Sequence, residues 1–232
     1  MNPVARSILA FAGLLLGSVC FANPVALPRY LIEAENVMVS ITAKGAIVEG
    51  NYHFRWNDSF RGKLEGNGGP FALQLPVPIS TNVVGSEAAT IEADPTITIN
   101  GRTYRPERET SVWKLEKLPE GVKVAVFDFW ITDQDFGEKV AVIIKYHQPV
   151  LKTDGKDVVY YIPFLPLMNE ARKSLNPRAY LINFQSADDT TLNLRTANEG
   201  VVQQTPNIIS VRPQHKEIIG VERVPAPLEI KL

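Results

Sequence analysis

The sequence predicts an all-β protein, an antiparallel β-sandwich of about ten to twelve strands. Three observations predict this class. Apolar and polar residues alternate over much of the chain, 17 prolines and 15 glycines punctuate the alternating runs, and regular helical patterns do not separate them. Strict alternation is typical of a half-buried strand, and short strands joined by turns are typical of a sandwich. A closed barrel is the alternative that this pattern leaves open.

The first two strands have the clearest pattern in the chain. Val48, Gly50, Tyr52 and every second residue to position 56 alternate with polar residues, which predicts an antiparallel strand with one buried face. Positions 37–41 alternate in the same way, and Lys44-Gly45 between the two runs predicts a turn. We therefore expect a hairpin here.

The next strands carry more specific signals. Pro76 and Pro78 fall inside an alternating run, which predicts an edge strand because proline cannot donate to a ladder. Asn100-Gly101 lies between β-prone runs and predicts a tight hairpin, since both turn residues must adopt positive φ. Residues 122–131 are largely apolar on both faces of the predicted strand, which indicates a central strand or one that another element covers.

The rest of the chain is predicted to form shorter strands and one helix. We expect strands at 140–146, 158–164, 180–185, 191–194, 208–211, 218–221 and 228–231, with a turn at Asp154-Gly155. A short helix is predicted over Leu167–Leu175, where Pro177 would stop it.

The N-terminal residues predict a cleaved secretory signal peptide over residues 1–22. Arg6 precedes an uncharged apolar run, Ile8–Val19, and Cys20-Phe21-Ala22 supplies small residues before a cut. The apolar run is shorter than the roughly 20 residues that a membrane span needs. We expect export to a bacterial periplasm or to the cell exterior, without stable membrane insertion afterwards.

The remaining residues, 23–232, are expected to form one sandwich domain. A boundary near residue 154, dividing two smaller β domains, is the alternative. Lys and Arg number 24 against 25 Asp and Glu, so the net charge of −1 gives no general attraction to nucleic acid. The single cysteine excludes an internal disulfide framework.

Catalytic motifs are missing from the sequence, so no catalytic residue and no metal ligand are predicted. There is no G-x-S-x-G elbow, no phosphate-binding glycine loop and no H-E-x-x-H pattern. His53, His147 and His215 are interpreted as surface residues, and the tryptophans at 56, 113 and 130 as core. No cofactor is expected, with one exception.

The exception is an acidic turn at residues 133–138. Asp133, Asp135 and Glu138 occur at close spacing beside Gly137, as oxygen ligands of calcium do, but the run is shorter than a full calcium loop. We predict a solvated turn, with a binding role or calcium as the less favoured interpretation.

Taken together, these patterns favour an exported, non-catalytic binding or interaction module of the bacterial envelope. Its partner would be an envelope protein or a glycan, contacted through loops 57–69, 133–138 and 164–177. The alternative is a secreted hydrolase that acts on a polymer through two carboxyl groups.

Overall fold

The computed structural model confirms an all-β fold. It describes residues 30–56, 71–80, 86–106, 108–113, 122–131, 139–161, 180–188, 190–195, 200–212 and 218–224. Within these residues the strands are β1 (Tyr30–Ile41), β2 (Ala46–Trp56), β3 (Phe71–Ser80), β4 (Thr96–Ile99), β5 (Arg102–Tyr104), β6 (Arg108–Trp113), β7 (Val122–Ile131), β8 (Lys139–Gln148), β9 (Leu151–Thr153), β10 (Lys156–Tyr161), β11 (Tyr180–Ser186), β12 (Thr191–Leu194), β13 (Val201–Thr205), β14 (Ile208–Val211) and β15 (Ile219–Val224). One helix, α1 (Ser86–Ala93), precedes β4.

The strands form three sheets. The large sheet has eight strands in the order β13-β14-β11-β1-β2-β8-β4-β5. A four-stranded sheet has the order β12-β15-β10-β9, and a three-stranded sheet has the order β3-β7-β6. The edge position of β3 and the central position of β7 are both as predicted.

The large sheet buries one face and exposes the other. Along β8, exposed and buried residues alternate without a break from Lys139 to Gln148. On the buried face, Val39, Val48 and Tyr146 are at most 2% exposed. On the outer face, Glu49 and Lys145 form an ion pair of 3.9 Å. This division is the physical basis of the alternation in the sequence.

One hydrophobic cluster joins all three sheets. It contains Val39 of the large sheet, Phe127 of the three-stranded sheet and Val221 of the four-stranded sheet. Tyr161 of β10 also packs edge-on against Phe184 of β11, with ring centroids 6.2 Å apart. The two smaller sheets therefore cover the buried face of the large one.

The structure corrects three predictions. Antiparallel pairing was predicted throughout, but β1 and β11 pair in parallel. A hairpin can join only antiparallel strands, whereas these two strands are separated by a long stretch of sequence. Helix α1 was missed because its sequence, SEAATIEA, lacks an apolar stripe. Trp130 is 39% exposed rather than core, because it lies at the end of β7.

Some predictions lie outside the described residues. These include the signal peptide, the helix at 167–175, His215 and the last strand at 228–231. The division into one or two domains also stays a prediction. No helix of the described residues is long and apolar enough to cross a membrane.

Candidate functional site

A pocket of about 310 Å³ opens at one end of the two central strands of the large sheet. Such a volume lies at the lower end of the range of ~300–1,000 Å³ that ligand pockets occupy. The turn between β1 and β2, the end of β8 and helix α1 form its walls. The described residues that line it are Thr42, Lys44, Gly45, Ala46, Ile47, Glu92, His147, Gln148 and Pro149.

The β1–β2 turn is held in one shape by local hydrogen bonds. The backbone N–H and the hydroxyl of Thr42 both donate to the Gly45 carbonyl, each over 2.9 Å. The Lys44 N–H donates in return to the Thr42 hydroxyl over 3.2 Å. A β-carbon on Gly45 would lie 3.1 Å from the Gln148 carbonyl oxygen. The close contact between the turn and β8 therefore favours a glycine.

Asp188 ties the same turn to a distant part of the chain. Its Oδ2 accepts the Ala43 N–H over 2.9 Å and one Arg223 N–H over 2.7 Å. Its Oδ1 accepts from the hydroxyls of Thr190 and Ser186. The Thr190 hydrogen bond, aided by those from Ser186 and Ala43 and by the Arg223 charge, lowers the pKa of Asp188. The pocket wall is thus anchored through an ionised carboxylate.

Glu92 is the residue with a carboxyl group that helix α1 contributes to the pocket. It lies near the end of α1, whose Ala89 and Ala93 are buried in the core. No hydrogen-bond donor of the described residues reaches its Oε2, although this oxygen is buried. Burial raises the pKa of Glu92 above its ordinary value. A half-buried carboxyl group with a raised pKa in a pocket is a typical feature of functional sites.

Gln148, which also lines the pocket, has a buried side-chain amide. Its side chain is only 3% exposed, and its Nε2 donates to the Tyr160 carbonyl over 2.9 Å. Because that carbonyl can only accept, the nitrogen must face Tyr160 and the oxygen must face away. This Oε1 is buried and lacks a partner among the described residues. An unpaired buried acceptor costs roughly 1–3 kcal/mol of stability.

Two exposed residues with nitrogen-bearing side chains also line the pocket. Lys44 projects from the turn and His147 from the outer face of β8, and both residues are exposed. His147 pairs with Ile47 in the β2–β8 register. The exposure of His53 and His147 is as predicted, but the place of His147 in a pocket was not predicted.

A second group of polar side chains lies in the core. Glu35, Tyr52, Tyr146 and Tyr161 are all at most 2% exposed, and the hydroxyls of Tyr52 and Tyr161 are 3.5 Å apart. Burial raises the pKa values of Tyr52 and Tyr146 well above their ordinary value. This group joins the large sheet to the four-stranded sheet and is enclosed by both.

The acidic turn that was singled out from the sequence is not described by the structure. Asp133, Asp135 and Glu138 lie outside the described residues, as do the loops at 57–69 and 164–177. Their roles in calcium or partner binding therefore stay predictions. Within the described ranges, no group of three or more His, Cys, Asp or Glu side chains could hold a metal ion.

Sequence reasoning missed Glu92 and Gln148 for different reasons. Glu92 belongs to a helix that was not predicted, so no pattern pointed to it. Gln148 did leave a signal, because it continues the buried parity of β8 after Val142, Ile144 and Tyr146. An amide at an inward position is a sign of a buried polar contact.

Comparison with known proteins gives distant structural likenesses. No protein-family model matches the chain, and no curated protein matches it either. Among solved structures, a putative nutrient binding protein from Legionella pneumophila is similar at a TM-score of 0.43 and 10% identity, over 86% of this chain and 68% of that one.

Two peptidase-related structures are also similar. Leukotriene A4 hydrolase from Saccharomyces cerevisiae matches at a TM-score of 0.38 and 11% identity, over 97% of this chain and 33% of that one. An M1 zinc metallopeptidase from Deinococcus radiodurans matches at a TM-score of 0.32 and 6% identity. The match covers 84% of this chain and 42% of that one. This chain spans less than half the length of either protein, and likenesses at these scores carry no argument about function.

Proposed function

We propose that this protein is an exported, non-catalytic binding module of the bacterial envelope. Its binding site is the pocket between the β1–β2 turn, the end of β8 and helix α1. It captures a small envelope component, or the end of a larger one such as a glycan or a protein. The bound component is released chemically unchanged.

One observation carries this proposal. Glu92, which lines the pocket, has a side-chain oxygen, Oε2, that is buried and lacks a protein partner among the described residues. Buried polar groups in folded proteins are nearly always hydrogen-bonded, so a carboxyl group without a donor at a pocket calls for an explanation. A ligand in the pocket that donates hydrogen bonds to this carboxyl group supplies it.

The hydrolase alternative has weaker support. Two carboxyl groups roughly 5–9.5 Å apart are needed for glycoside hydrolysis. Among the described residues that line the pocket, Glu92 is the one carboxyl group. Binding alone requires no second carboxyl group, so it is the function that this pocket supports better.

The binding function is tested with the full chain, expressed in cells and purified as the cells process it. The protein is incubated with a bacterial envelope extract that contains its small molecules, glycans and proteins, and is examined by native mass spectrometry. We expect a discrete adduct that raises the melting temperature and that weakens in Glu92→Gln. Release of a chemically altered ligand would support the hydrolase, and a protein with neither an adduct nor a thermal shift would overturn the binding function.

The export part of the proposal has its own test. It is supported by the signal-peptide pattern of residues 1–22. We expect the tagged protein in the periplasmic or extracellular fraction, with an intact mass that shows cleavage after Ala22. A full-length protein in the cytoplasmic fraction would contradict export and leave the pocket's binding test unaffected.

A further inference from the structure

The pocket holds two opposite charges that do not neutralise each other. Lys44 lies on the turn side and Glu92 on the helix side. Neither side chain forms an ion pair with a charged group of the described residues. By contrast, Lys145, Lys152 and Lys156 each have a carboxylate partner. A positive and a negative group that share a pocket without pairing are complementary to a ligand that carries both charges.

Glu92 provides the hydrogen-bond acceptor on the negative side of the pocket. Its carboxylate accepts hydrogen bonds when ionised, and its Oε2 has no donor among the described residues. This group therefore needs both hydrogen-bond donors and a positive charge. A primary ammonium group provides three donors and a positive charge in a compact volume.

We infer that the pocket takes a small zwitterion, with an ammonium group held by Glu92 and an anionic group facing Lys44. This inference rests on the proposed function and specifies its ligand. Glu92 is half-buried and Lys44 is exposed, so the contact with the ammonium group is the better shielded from water of the two.

Other small ligands fit the same groups less well. An anion such as inorganic phosphate would meet Lys44 but would be repelled by the Glu92 carboxylate. A simple cation would meet Glu92 but would be repelled by Lys44. A divalent metal ion is usually bound by several carboxylate or imidazole groups, whereas the described lining residues provide one of each.

The inference is tested by calorimetric titration of the purified protein with the common L-amino acids, one at a time. For the tightest ligand, the N-acetyl derivative removes the ammonium charge and the C-terminal amide removes the carboxylate. We expect the N-acetyl derivative to lose about tenfold or more in affinity, and the amide about two- to fivefold. The larger loss is expected at the ammonium group because Glu92 is half-buried, whereas Lys44 is exposed.

Variants at the two charged residues complete the test. Glu92→Gln should weaken zwitterion binding about tenfold, and Lys44→Gln about two- to fivefold. Glu49→Gln and Lys145→Gln make the same charge changes on the outer face of the large sheet and should leave binding unchanged. Circular dichroism of each variant confirms that it is folded.

The outcomes separate this inference from the proposed function. If inorganic phosphate or a diamine binds and no amino acid does, the zwitterion inference fails while the binding function stands. If an amino acid binds but its N-acetyl derivative binds equally well, the assignment of the ammonium site fails. If neither these probes nor the envelope extract binds, both proposals fail.

Discussion

Glu92 lines the pocket, and burial of its charge lowers the stability of the fold. Its pKa is raised because burial disfavours the charged form. A raised carboxyl pKa means that the folded state binds protons more tightly than the unfolded state, so stability falls as the pH rises through the interval between the two pKa values. A residue that costs stability is typical of a functional site.

Replacement of Glu92 should therefore separate stability from binding. We expect Glu92→Gln to be as stable as the wild-type protein at acidic pH, and at least as stable at pH 7, where the buried charge is removed. Urea unfolding at several pH values checks this. A variant that is clearly less stable than wild type at pH 7 would contradict an unfavourable charge at this position.

Gly50 lies in a space too small for a larger side chain. It lies on the buried face of β2, and a β-carbon there would meet Tyr52 ring atoms at 2.6–2.9 Å. The Tyr52 ring is 2% exposed and packs beside Phe54, with ring centroids 6.3 Å apart. The ring thus covers the glycine.

The substitution Gly50→Ala should accordingly destabilise the fold by roughly 1–3 kcal/mol through overpacking. Asn51→Ala, one residue away on the exposed face, should change stability by no more than about 0.5 kcal/mol. Chemical denaturation measures both. Equal effects from the two variants would show that the Tyr52 ring moves aside easily.

At the scale of elements, the β4–β5 hairpin depends on its turn. Asn100 and Gly101 have φ values of 47° and 89°, the left-handed conformation that two-residue hairpins require. The Asn100 side chain also accepts the Ala141 N–H over 3.2 Å, which joins the turn to β8. Both residues thus support the edge of the large sheet.

Because alanine disfavours positive φ, Gly101→Ala should destabilise the protein by about 1–2 kcal/mol. Gly101→Asn should cost less, since asparagine tolerates this conformation better. Thermal unfolding of the two variants provides the comparison. If alanine and asparagine have the same effect, the backbone conformation at residue 101 is not what limits this turn.

At the scale of the whole molecule, Asp188 connects separate sheets. It binds the β1–β2 turn of the large sheet through Ala43 and the four-stranded sheet through Arg223. Arg223 is 7% exposed, and its other carboxylate, Asp157, is farther away at 3.8 Å. The loss of Asp188 would therefore leave a buried guanidinium group with weaker compensation.

This arrangement makes acid stability depend on Asp188. Its pKa is lowered in the folded state, so its contribution is full above the unfolded pKa of about 3.9 and is lost as the pH falls through the lower, folded pKa. We expect Asp188→Asn to cost about 1–3 kcal/mol near neutral pH and less as the pH approaches 3. Urea unfolding between pH 3 and 7 tests this.

The outer-face variant Glu49→Gln is the control for Asp188. Its ion pair with Lys145 is 3.9 Å long and both side chains are about half exposed, so the change should cost under about 1 kcal/mol. A difference between Asp188→Asn and wild type that stays constant from pH 3 to pH 7 would contradict the titration of Asp188 as its cause.

The sequence by itself determined most of the strands and several turns. Alternation located β1, β2 and β8, the prolines at 76 and 78 identified the edge strand β3, and Asn100-Gly101 located a hairpin. These signals are local, because side-chain alternation and turn conformation depend on residues adjacent in the chain. The expected export and the acidic turn also come from sequence patterns and stay predictions.

Only the tertiary structure decided which elements meet. The parallel pairing of β1 with β11, the bond between Ala43 and Asp188 across 145 positions, and the shared pocket of Glu92 and Gln148 join distant segments. Such contacts depend on how three sheets pack around one core, and local patterns do not encode that packing. The candidate site lies at one of these junctions, so sequence reasoning anticipated the Lys44-Gly45 turn but not the pocket.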